Sequence, residues 1–473
     1  MQKVKLKRQP NWFYKLYKNF KEALSGEEKD YTTGNLNRAI FMLSVPMILE
    51  MVMESLFAVV DIFYVSKVSV DAVATIGLTE SVMLLVYSTA IGLSMATTAM
   101  VARRVGEKNK EDAADATVQS VIIATTFSIL ISLVGIFAAE DILRWMGGSE
   151  ALIAEGKGYA QLMLGGNITI MLLFLLNAAF RGAGDASLAM RSLWLANGLN
   201  IILDPIFIFG WGPIEAYGVT GAAIATNIGR GVGVVYQLYH LLKGDGVLRV
   251  ALNNVKVNMP VIRRLLQVSI GGMGQYLIGS ASWIFLVRII SVFGSEVVAG
   301  YTISFRIIVF TILPSWGMAN AAATLVGQHL GAKLPDRAEQ SVWRCSFYNM
   351  VFLALVSVIF IVFAEQFIGI FSSEPEVIYY GTMSLRYICM AYMLFAYGMV
   401  VSQAFNGAGD TKTPTIINLF CYWMLQIPLA YALSVWLDWG PMGVFLAIAI
   451  AESALAVVAI LVFRRGKWKT VQI

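Results

Sequence analysis

The segments Ala-Phe-Arg-Gly-Ala-Gly-Asp at residues 179–185 and Ala-Phe-Asn-Gly-Ala-Gly-Asp at residues 404–410 are two copies of one motif, identical at six of seven positions. They stand 225 residues apart, and the same shift aligns residues 71–74 with residues 296–299. Without gaps it also pairs Val101 with Val326, Gly106 with Gly331, Lys108 with Lys333, and Ala113 with Ala338. One constant offset at three separate places indicates an internal repeat, so we predict a protein of two equivalent halves.

The composition favours a lipid bilayer over water as the solvent. Of 473 residues, 58% are hydrophobic and 14% are charged, and the mean hydropathy is +0.69. A soluble protein with these proportions would expose much of its apolar surface. Two His and three Cys leave little material for a metal site or a disulfide framework, and we predict that Cys345, Cys389 and Cys421 are buried thiols. The net charge of +5 comes from basic residues beside apolar segments, which predicts no nucleic-acid partner.

Apolar segments long enough to cross a hydrocarbon core of about 30 Å occur throughout the chain. Six of them precede residue 243, at residues 39–65, 72–102, 113–139, 156–180, 186–210 and 217–242. Six more follow, at residues 264–291, 297–327, 338–364, 377–405, 413–437 and 441–463. Because six is even, both halves enter the membrane from the same side. We therefore predict an all-α integral membrane protein of twelve transmembrane helices, in two parallel six-helix lobes related by pseudo-twofold symmetry along the membrane normal.

Basic residues predict the orientation of these spans. Most of the 35 Lys and Arg residues lie near the two termini or in alternate connections between the spans. Cytoplasmic loops carry such an excess, so we expect a multi-pass protein of a bacterial-type cytoplasmic (inner) membrane, with both termini in the cytoplasm. The predicted units are a cytoplasmic N-terminal segment (1–38), two lobes (39–242 and 264–463), a cytoplasmic linker (243–263) and a cytoplasmic tail (464–473).

The N-terminal segment contains an amphipathic pattern. Aromatic and aliphatic residues recur there at helical spacing, with lysines between them: Trp12, Phe13, Leu16, Tyr17, Phe20 and Leu24. This pattern predicts a short helix that lies on the inner membrane surface and anchors the segment.

Carboxylates inside the predicted spans are the strongest functional signal, since each costs about 2.5 kcal/mol or more to place at mid-bilayer. There are six of them: Glu50, Glu54, Asp61, Glu80, Asp204 and Glu452. At 100° per residue, Glu50, Glu54 and Asp61 lie within roughly 40° of one another on the first span. Such a stripe must face a hydrated cavity or partners within the bundle. Glu50 stands near the inner end of its span, where simple hydration is the alternative.

The fifth span supplies a second group of oxygen ligands. Asp204 follows Asn200 by four residues, and Pro205 removes a backbone donor and frees a carbonyl one turn back. Asn177, Thr220 and Thr226 add neutral oxygens from the fourth and sixth spans. Together with Asp61 these residues predict a site for a proton or Na⁺ in the first lobe. The alternative is a buried network of structural hydrogen bonds.

Other polar and apolar residues carry weaker signals. Met51 and Phe57 lie beside the acid stripe and suit a cavity for flat, apolar cations, in which Glu54 is a further contact. Arg230 stands near the end of its span and is expected to extend its side chain to the interface. Glu452 is expected either to pair with a basic residue of its lobe, namely Arg288 or Arg306, or to contact substrate.

The repeated Gly-Ala-Gly-Asp segment matches neither a dinucleotide-binding fingerprint nor a P-loop. Glycine permits a tight turn, and an aspartate caps the helix that follows it. We therefore predict a structural turn at both copies.

Several of these motifs resemble the multidrug and toxic compound extrusion (MATE) family. They are Pro46 with the run 59–65, the Gly-Ala-Gly-Asp pair, Asn200 with Asp204, and the Gly-Val-Thr-Gly-Ala-Ala segment at 218–223. The resemblance implies a V-shaped pair of lobes that exchanges Na⁺ or H⁺ for organic cations and drugs. The chain is most similar to the DinF-like branch, which implies that Asp61, Asn177, Asn200 and Asp204 form the cation-coupling site. A second branch uses acids on the seventh and tenth spans, where this chain has Gln275 and Cys389.

The resulting hypothesis is a secondary active multidrug efflux antiporter that works by alternating access. Protonation of Asp61, or Na⁺ bound by Asp61, Asn200 and Asp204, would bend or shift the first helix and expel an organic cation or amphiphilic drug. We expect a monomer with no cofactor beyond the coupling ion. One alternative is a flippase for a lipid-linked oligosaccharide, whose cavity would need several cations for phosphates. A channel, a receptor or a membrane-embedded enzyme is disfavoured, since the nucleophile, base and metal-ligand spacings of an enzyme are absent.

Overall fold

The computed structural model describes residues 12–26, 30–243, 246–251 and 256–473. A short first helix, α1 (Trp12–Ser25), precedes the bundle. The first lobe contains α2 (Leu36–Val65), α3 (Val70–Gly106), α4 (Lys110–Trp145), α5 (Glu150–Gly165), α6 (Ile168–Ala183), α7 (Ala186–Phe209) and α8 (Val219–Lys243). The second lobe contains α9 (Met259–Ile290), α10 (Ser295–Gly331), α11 (Pro335–Val362), α12 (Ala364–Gly369), α13 (Pro375–Met390), α14 (Tyr392–Ala408), α15 (Lys412–Asn418), α16 (Ile427–Tyr431) and α17 (Pro441–Arg464).

The predicted twelve-span, two-lobe architecture is confirmed. By length and hydropathy, ten helical spans of the described chain are able to cross a membrane, and α5 with α6 counts as one of them. The pair α13 and α14, bent by 58° at Ala391, supplies the eleventh. The twelfth is α8, which is long enough but carries the polar side chains of Thr226, Arg230 and Gln237. These residues lower its hydropathy, and α8 is held by packing against its neighbours.

The internal repeat is visible in the backbone. Gly184 and Gly409 end α6 and α14 with φ angles of 92° and 87°, and Lys108 and Lys333 both have φ of 61°. The fourth span breaks between α5 and α6, and its equivalent breaks between α13 and α14. Residues 225 positions apart thus share unusual conformations, which makes the repeat structural as well as sequential.

The two Gly-Ala-Gly-Asp segments are helix-terminating turns, as predicted. Glycine supplies the left-handed conformation that ends each helix. Asp185 accepts a hydrogen bond from the Leu188 amide at 3.1 Å, and Asp410 accepts one from the Thr413 amide at 3.2 Å. Burial raises the pKa of the Asp185 carboxyl, while its capping hydrogen bonds favour the charged form.

Two symmetry-related helix crossings join the lobes. Gly92 of α3 lies against α9, and Gly317 of α10 lies against α2. A Cβ atom at Gly92 would stand 2.6 Å from the Ser269 carbonyl oxygen, and one at Gly317 would stand 2.6 Å from the Met47 carbonyl oxygen. Glycine is therefore required at both crossings, because only hydrogen fits between the two backbones.

The lobes also meet at the end of the bundle that carries both ends of the described chain, here called the terminal face. Gly106, at the end of α3, packs on the backbone of Gln328, and Gly331, at the end of α10, packs on the Arg103 carbonyl. Gln328 donates to the Gly182 carbonyl at 3.0 Å, and Arg103 donates to the Ala408 carbonyl at 3.2 Å. These contacts seal the terminal face between the lobes.

The segment before α2 strengthens this seal. Tyr31 is buried, and its carbonyl lies 3.1 Å from the Nε2 atom of His329 in the second lobe. Arg337 donates to the carbonyls of Thr33 and Gly34 at 3.1 and 2.9 Å. The predicted N-terminal helix forms as α1, with Tyr17 exposed. Its place at a membrane surface stays a prediction, as do the domain boundaries. The three cysteines are buried free thiols, as predicted.

Replacing Gly106 or Gly331 by Ala is expected to loosen the terminal face. Each added methyl group would overlap backbone atoms of the opposite lobe, which are unable to rotate away, at a cost of about 1–3 kcal/mol. The measurement is the rate of maleimide labelling of an Ala408→Cys reporter, which is buried in the closed face. The rate should rise about tenfold. Gly77→Ala, on α3 but with open space around it, is the control. Unchanged labelling in both variants would refute the seal.

Candidate functional site in the first lobe

The inner face of α7 carries a buried carboxylate, Asp204, to which the described residues donate no hydrogen bond of good geometry. Asp204 and Asn200 lie one turn apart and are 0% and 2% exposed. Neither carboxylate oxygen of Asp204, nor the amide oxygen of Asn200, accepts a hydrogen bond of good geometry from the described residues. The Asn200 amide nitrogen donates instead to the Thr226 hydroxyl of α8 at 3.0 Å. A buried carboxylate without donors is costly, so this group of oxygens is suited to receive a proton or a cation.

Close packing of α7 on α8 brings this group of oxygens together. A Cβ atom at Gly229 of α8 would collide with the Ala196 carbonyl and approach Asn200, and one at Gly221 would collide with the Phe207 backbone. These glycines let the two helices approach closely enough for the Thr226 hydroxyl to reach Asn200.

Asp61 on α2 belongs to the same electrostatic neighbourhood. It is partly buried, and its charge acts on Asp204 across the α2–α7 contact. Arg230 of α8 and Glu80 of α3 act in turn on Asp61. The structure thus brings Asp61, Asn200, Asp204 and Thr226 into one region of the first lobe. Their assignment as ion ligands stays a prediction.

Arg230 lies inside the lobe, so the prediction that it extends to the membrane interface is wrong. It is 8% exposed, and its guanidinium stands 6.0 Å from the centre of the Phe57 ring. The guanidinium is within hydrogen-bonding reach of the Tyr87 hydroxyl and attracts the Glu54 carboxylate. The sequence contained a signal for this position, because Arg230 follows Thr226 by four residues and therefore shares its helix face.

Glu50 is also deeply buried, which contradicts simple hydration. It is 1% exposed, and its Oε1 atom accepts from Arg181 Nη1 at 2.7 Å and from Asn177 Nδ2 at 3.1 Å. Asn177 in turn accepts a hydrogen bond from Gln237. The contacts of Asn177 are therefore with Glu50 and Gln237, and none is described with Asp61 or Asp204. A role of Asn177 in ion coupling stays a prediction.

Arg181 was missed in the sequence analysis, although it is the one position at which the two motif copies differ. Its repeat equivalent is Asn406, and the equivalent of Glu50 is Gln275. In the second lobe these two amides exchange reciprocal hydrogen bonds of 2.9 and 3.1 Å. The same pair of positions thus holds an ion pair in one lobe and a neutral amide pair in the other.

A cavity of about 280 Å³ lies between the lobes beside these residues. Met51, Glu54 and Tyr87 line it from the first lobe, and Tyr276 and Trp316 line it from the second. Glu54 accepts a hydrogen bond from Asn197 at 2.9 Å. The structure therefore places the predicted contacts Met51 and Glu54 at an aromatic, acidic cavity.

The remaining predicted residues lie elsewhere. Phe57 packs under Arg230, and Thr220 packs against Gly158 of α5. Glu452 in the second lobe accepts a hydrogen bond from the Tyr422 hydroxyl at 3.5 Å, whereas Arg288 and Arg306 are exposed. The predicted pairing of Glu452 with a basic residue of its lobe is therefore wrong.

Comparisons with known proteins agree with this architecture. A sequence profile of the MatE family matches residues 46–206 and 273–432, one segment in each repeat. The chain is 25% identical to "Probable multidrug resistance protein NorM" of Thermotoga maritima, over 96% of this chain and 97% of the relative. It is 24% identical to "Probable multidrug resistance protein YoeA" of Bacillus subtilis, over 92% and 95%.

A solved structure is similar as well. It is described as the outward-facing conformation of a multidrug resistance MATE family transporter of the MOP superfamily. The TM-score is 0.87 at 28% identity, and the match covers 93% of this chain and 98% of that one. The family profile matches both repeats, and the similarity to relatives and to the solved structure extends along nearly the whole chain. The chain therefore belongs to the MatE family.

Proposed function

We propose that this protein is a secondary active multidrug efflux transporter that exchanges H⁺ or Na⁺ for organic cations by alternating access. Relatives named as multidrug resistance proteins support the class of activity. The observation that carries the coupling proposal is Asp204, which is fully buried and has two carboxylate oxygens without described partners. A carboxylate in that position needs a positive charge, and a transported ion supplies it reversibly.

The coupling site in this proposal consists of Asp61, Asn200, Asp204 and Thr226. H⁺ would neutralise a carboxylate directly. Na⁺ would be held by the Asp61 and Asp204 carboxylates and by the free amide oxygen of Asn200. Because these residues belong to α2, α7 and α8, the charge state of the site changes how strongly the three helices attract one another. We propose that this change shifts α2 relative to α7 and moves the lobe between two arrangements.

The terminal face is the cytoplasmic face in this proposal, because Lys and Arg residues concentrate there. Its glycine contacts then close the cytoplasmic end of the space between the lobes, which corresponds to an outward-facing state. The protein would be a multi-pass component of the cytoplasmic membrane, active as a monomer, with no nucleic-acid partner and no cofactor beyond the coupling ion.

Organic cations and amphiphilic drugs fit the cavity between the lobes. Glu54 offers a carboxylate, and Tyr87, Tyr276 and Trp316 offer aromatic faces that attract a flat cation. Arg181 is the single basic residue among the described lining residues, and it is paired with Glu50. A flippase for lipid-linked phosphates would need several free cations here, so the cavity favours organic cations over that alternative.

Transport by the purified protein in proteoliposomes tests the proposal. Ethidium movement is followed while a Na⁺ gradient and a pH gradient are imposed separately. Transport driven by one of them is expected. Ethidium movement that is indifferent to both gradients would contradict antiport.

A substitution at Thr226 distinguishes Na⁺ coupling from H⁺ coupling. Thr226→Val removes a neutral oxygen that Na⁺ needs as a ligand, whereas a proton on a carboxylate does not need it. For Na⁺ coupling we expect the Na⁺ concentration for half-maximal transport to rise about tenfold. For H⁺ coupling the rate should change little. Thr226→Ser, which keeps the hydroxyl, is the matched control and should behave as the wild type in either case.

A further inference from the structure

We propose that the second lobe contains its own binding site for a flat organic monocation, an aromatic cage in which Glu452 is the counter-ion. The proposal rests on the proposed function only for the class of ligand. The site lies within one lobe, apart from the cavity between the lobes, and its residues come from α9, α10, α13, α14, the π-helical segment Leu419–Gln426 and α17.

The cavity has the walls of a ligand site. Its volume is about 190 Å³. Six aromatic side chains line it: Trp283, Tyr301, Phe305, Tyr392, Phe395 and Tyr422. Trp283 and Phe305 are stacked with ring centres 5.1 Å apart, so this wall presents continuous aromatic surface. Such surface attracts a cation through the negative faces of the rings.

The cavity holds a carboxylate and no basic side chain among its described lining residues. Glu452 is the carboxylate among the described lining residues, and its hydrogen-bond donor is the Tyr422 hydroxyl at 3.5 Å. None of the described lining residues is Lys or Arg. A carboxylate within a membrane-spanning lobe and without a basic partner favours a cationic ligand.

The chemistry of the walls selects an organic cation over a metal ion. Na⁺ needs several oxygen ligands at close range, as in the site proposed for the first lobe. The lining of the cavity in the second lobe is mostly carbon. Its polar groups besides Glu452 are the hydroxyls of Ser282, Tyr301, Tyr392 and Tyr422, the indole N–H of Trp283 and the amide of Gln426, whose oxygen already accepts from Ser282 at 3.0 Å. A single carboxylate facing aromatic rings instead matches a delocalised or alkylated nitrogen cation.

The two repeats differ in charge at the positions of the proposed coupling site. The equivalents of Asp61 and Asp204 are Leu286 and Leu429, and Leu286 lines the cavity. The equivalent of Arg230 is Leu455. The second lobe thus lacks the equivalents of these three charged groups, and its acid comes from a different position, Glu452 on α17.

The distorted helix of the eleventh span is an independent observation in favour of this site. The eleventh span is π-helical over Leu419–Gln426 and Ala432–Trp436, in contrast to the α-helical fifth span. Tyr422 and Gln426, which both line the cavity, lie in the first of these segments. π-Helical turns are rare and occur frequently at functional sites.

Fluorescence of Trp283 tests the proposal in the purified full-length protein, without any ion gradient. Ethidium is titrated into the protein, and the quenching that is present in the wild type but lost in Trp283→Phe reports this cavity. We expect saturable Trp283-dependent quenching, and an apparent Kd about tenfold weaker in Glu452→Gln. An uncharged phenanthridine of the same shape should show no dependence on Glu452.

Three further variants serve as controls for the binding measurement. Glu365→Gln, at an exposed acid of the same lobe, should bind as the wild type. Glu452→Asp, which keeps the charge, should retain most of the binding even where the Gln variant folds poorly. Asp204→Asn should bind ethidium here normally, so failure of ion coupling is separable from failure of this site. The proposal is overturned by absent Trp283-dependent quenching in the wild type, or by equal affinity in Glu452→Gln.

Discussion

Replacing Asp204 by Asn is expected to reduce ion-driven efflux to the level of vesicles without protein, while the protein stays folded. Asn has nearly the same shape but is unable to take up a proton or to balance the charge of Na⁺. The fold should tolerate the change, because the Asp204 oxygens accept no good hydrogen bond from the described residues. Removing a buried charge without partners even relieves a desolvation cost.

Asp61→Asn is expected to give the same loss, since the charge of Asp61 acts on Asp204. The measurement is ethidium efflux in proteoliposomes under the gradient that drives the wild type, together with the melting temperature in detergent. Asp71→Asn, at an exposed acid in the first turn of α3, is the control. Normal efflux by the Asp61 and Asp204 variants would eliminate the coupling site proposed here.

Removing Arg181 is expected to cause the largest loss of stability. Arg181→Ala leaves the 1% exposed Glu50 carboxylate with only the Asn177 amide as a described donor. Breaking a buried ion pair from one side costs about 3–5 kcal/mol, because the remaining charge stays buried without compensation. For a membrane-embedded bundle this should appear as a large drop in the melting temperature in detergent.

The equivalent positions of the second lobe indicate a double variant that should avoid this loss of stability. Glu50→Gln combined with Arg181→Asn recreates in the first lobe the amide pair that Gln275 and Asn406 form at the equivalent positions. We expect the double variant to melt close to the wild type, and well above Arg181→Ala. A double variant that is as unstable as the single one would mean that the ion pair is not interchangeable with the amide pair, contrary to the repeat argument.

Much of the fold was determined by local features of the sequence. Span positions follow from the length of apolar segments, because each helix must satisfy its backbone within the hydrocarbon core. The turns after α6 and α14 follow from Gly184 and Gly409, since glycine accepts the left-handed conformation that ends a helix there. The offset of the two motif copies predicted the two-lobe symmetry that the backbone confirms.

The candidate site was only partly predictable. Asp61, Asn200 and Asp204 were identified from the cost of placing polar groups in a bilayer, which depends on the residue and its span alone. The partners of these residues could not be identified in the same way. Arg230 was expected at the interface but lies among the acids of the first lobe. Glu50, for which simple hydration was the alternative, pairs with Arg181. Sequence gives the distance of a residue from a span end, but not which neighbouring helix it faces.

The sequence by itself therefore determined the helices, their repeat and the presence of charged groups that a membrane protein must pair or use. Only the tertiary structure decided which charges are paired, because pairing depends on the rotation and approach of helices distant along the chain. It joined Glu50 to Arg181, left Asp204 without a described donor, and enclosed Glu452 among aromatic rings without a described basic residue. The physical reason is that the energy of a buried charge is set by the few ångströms around it, and those neighbours come from several helices at once.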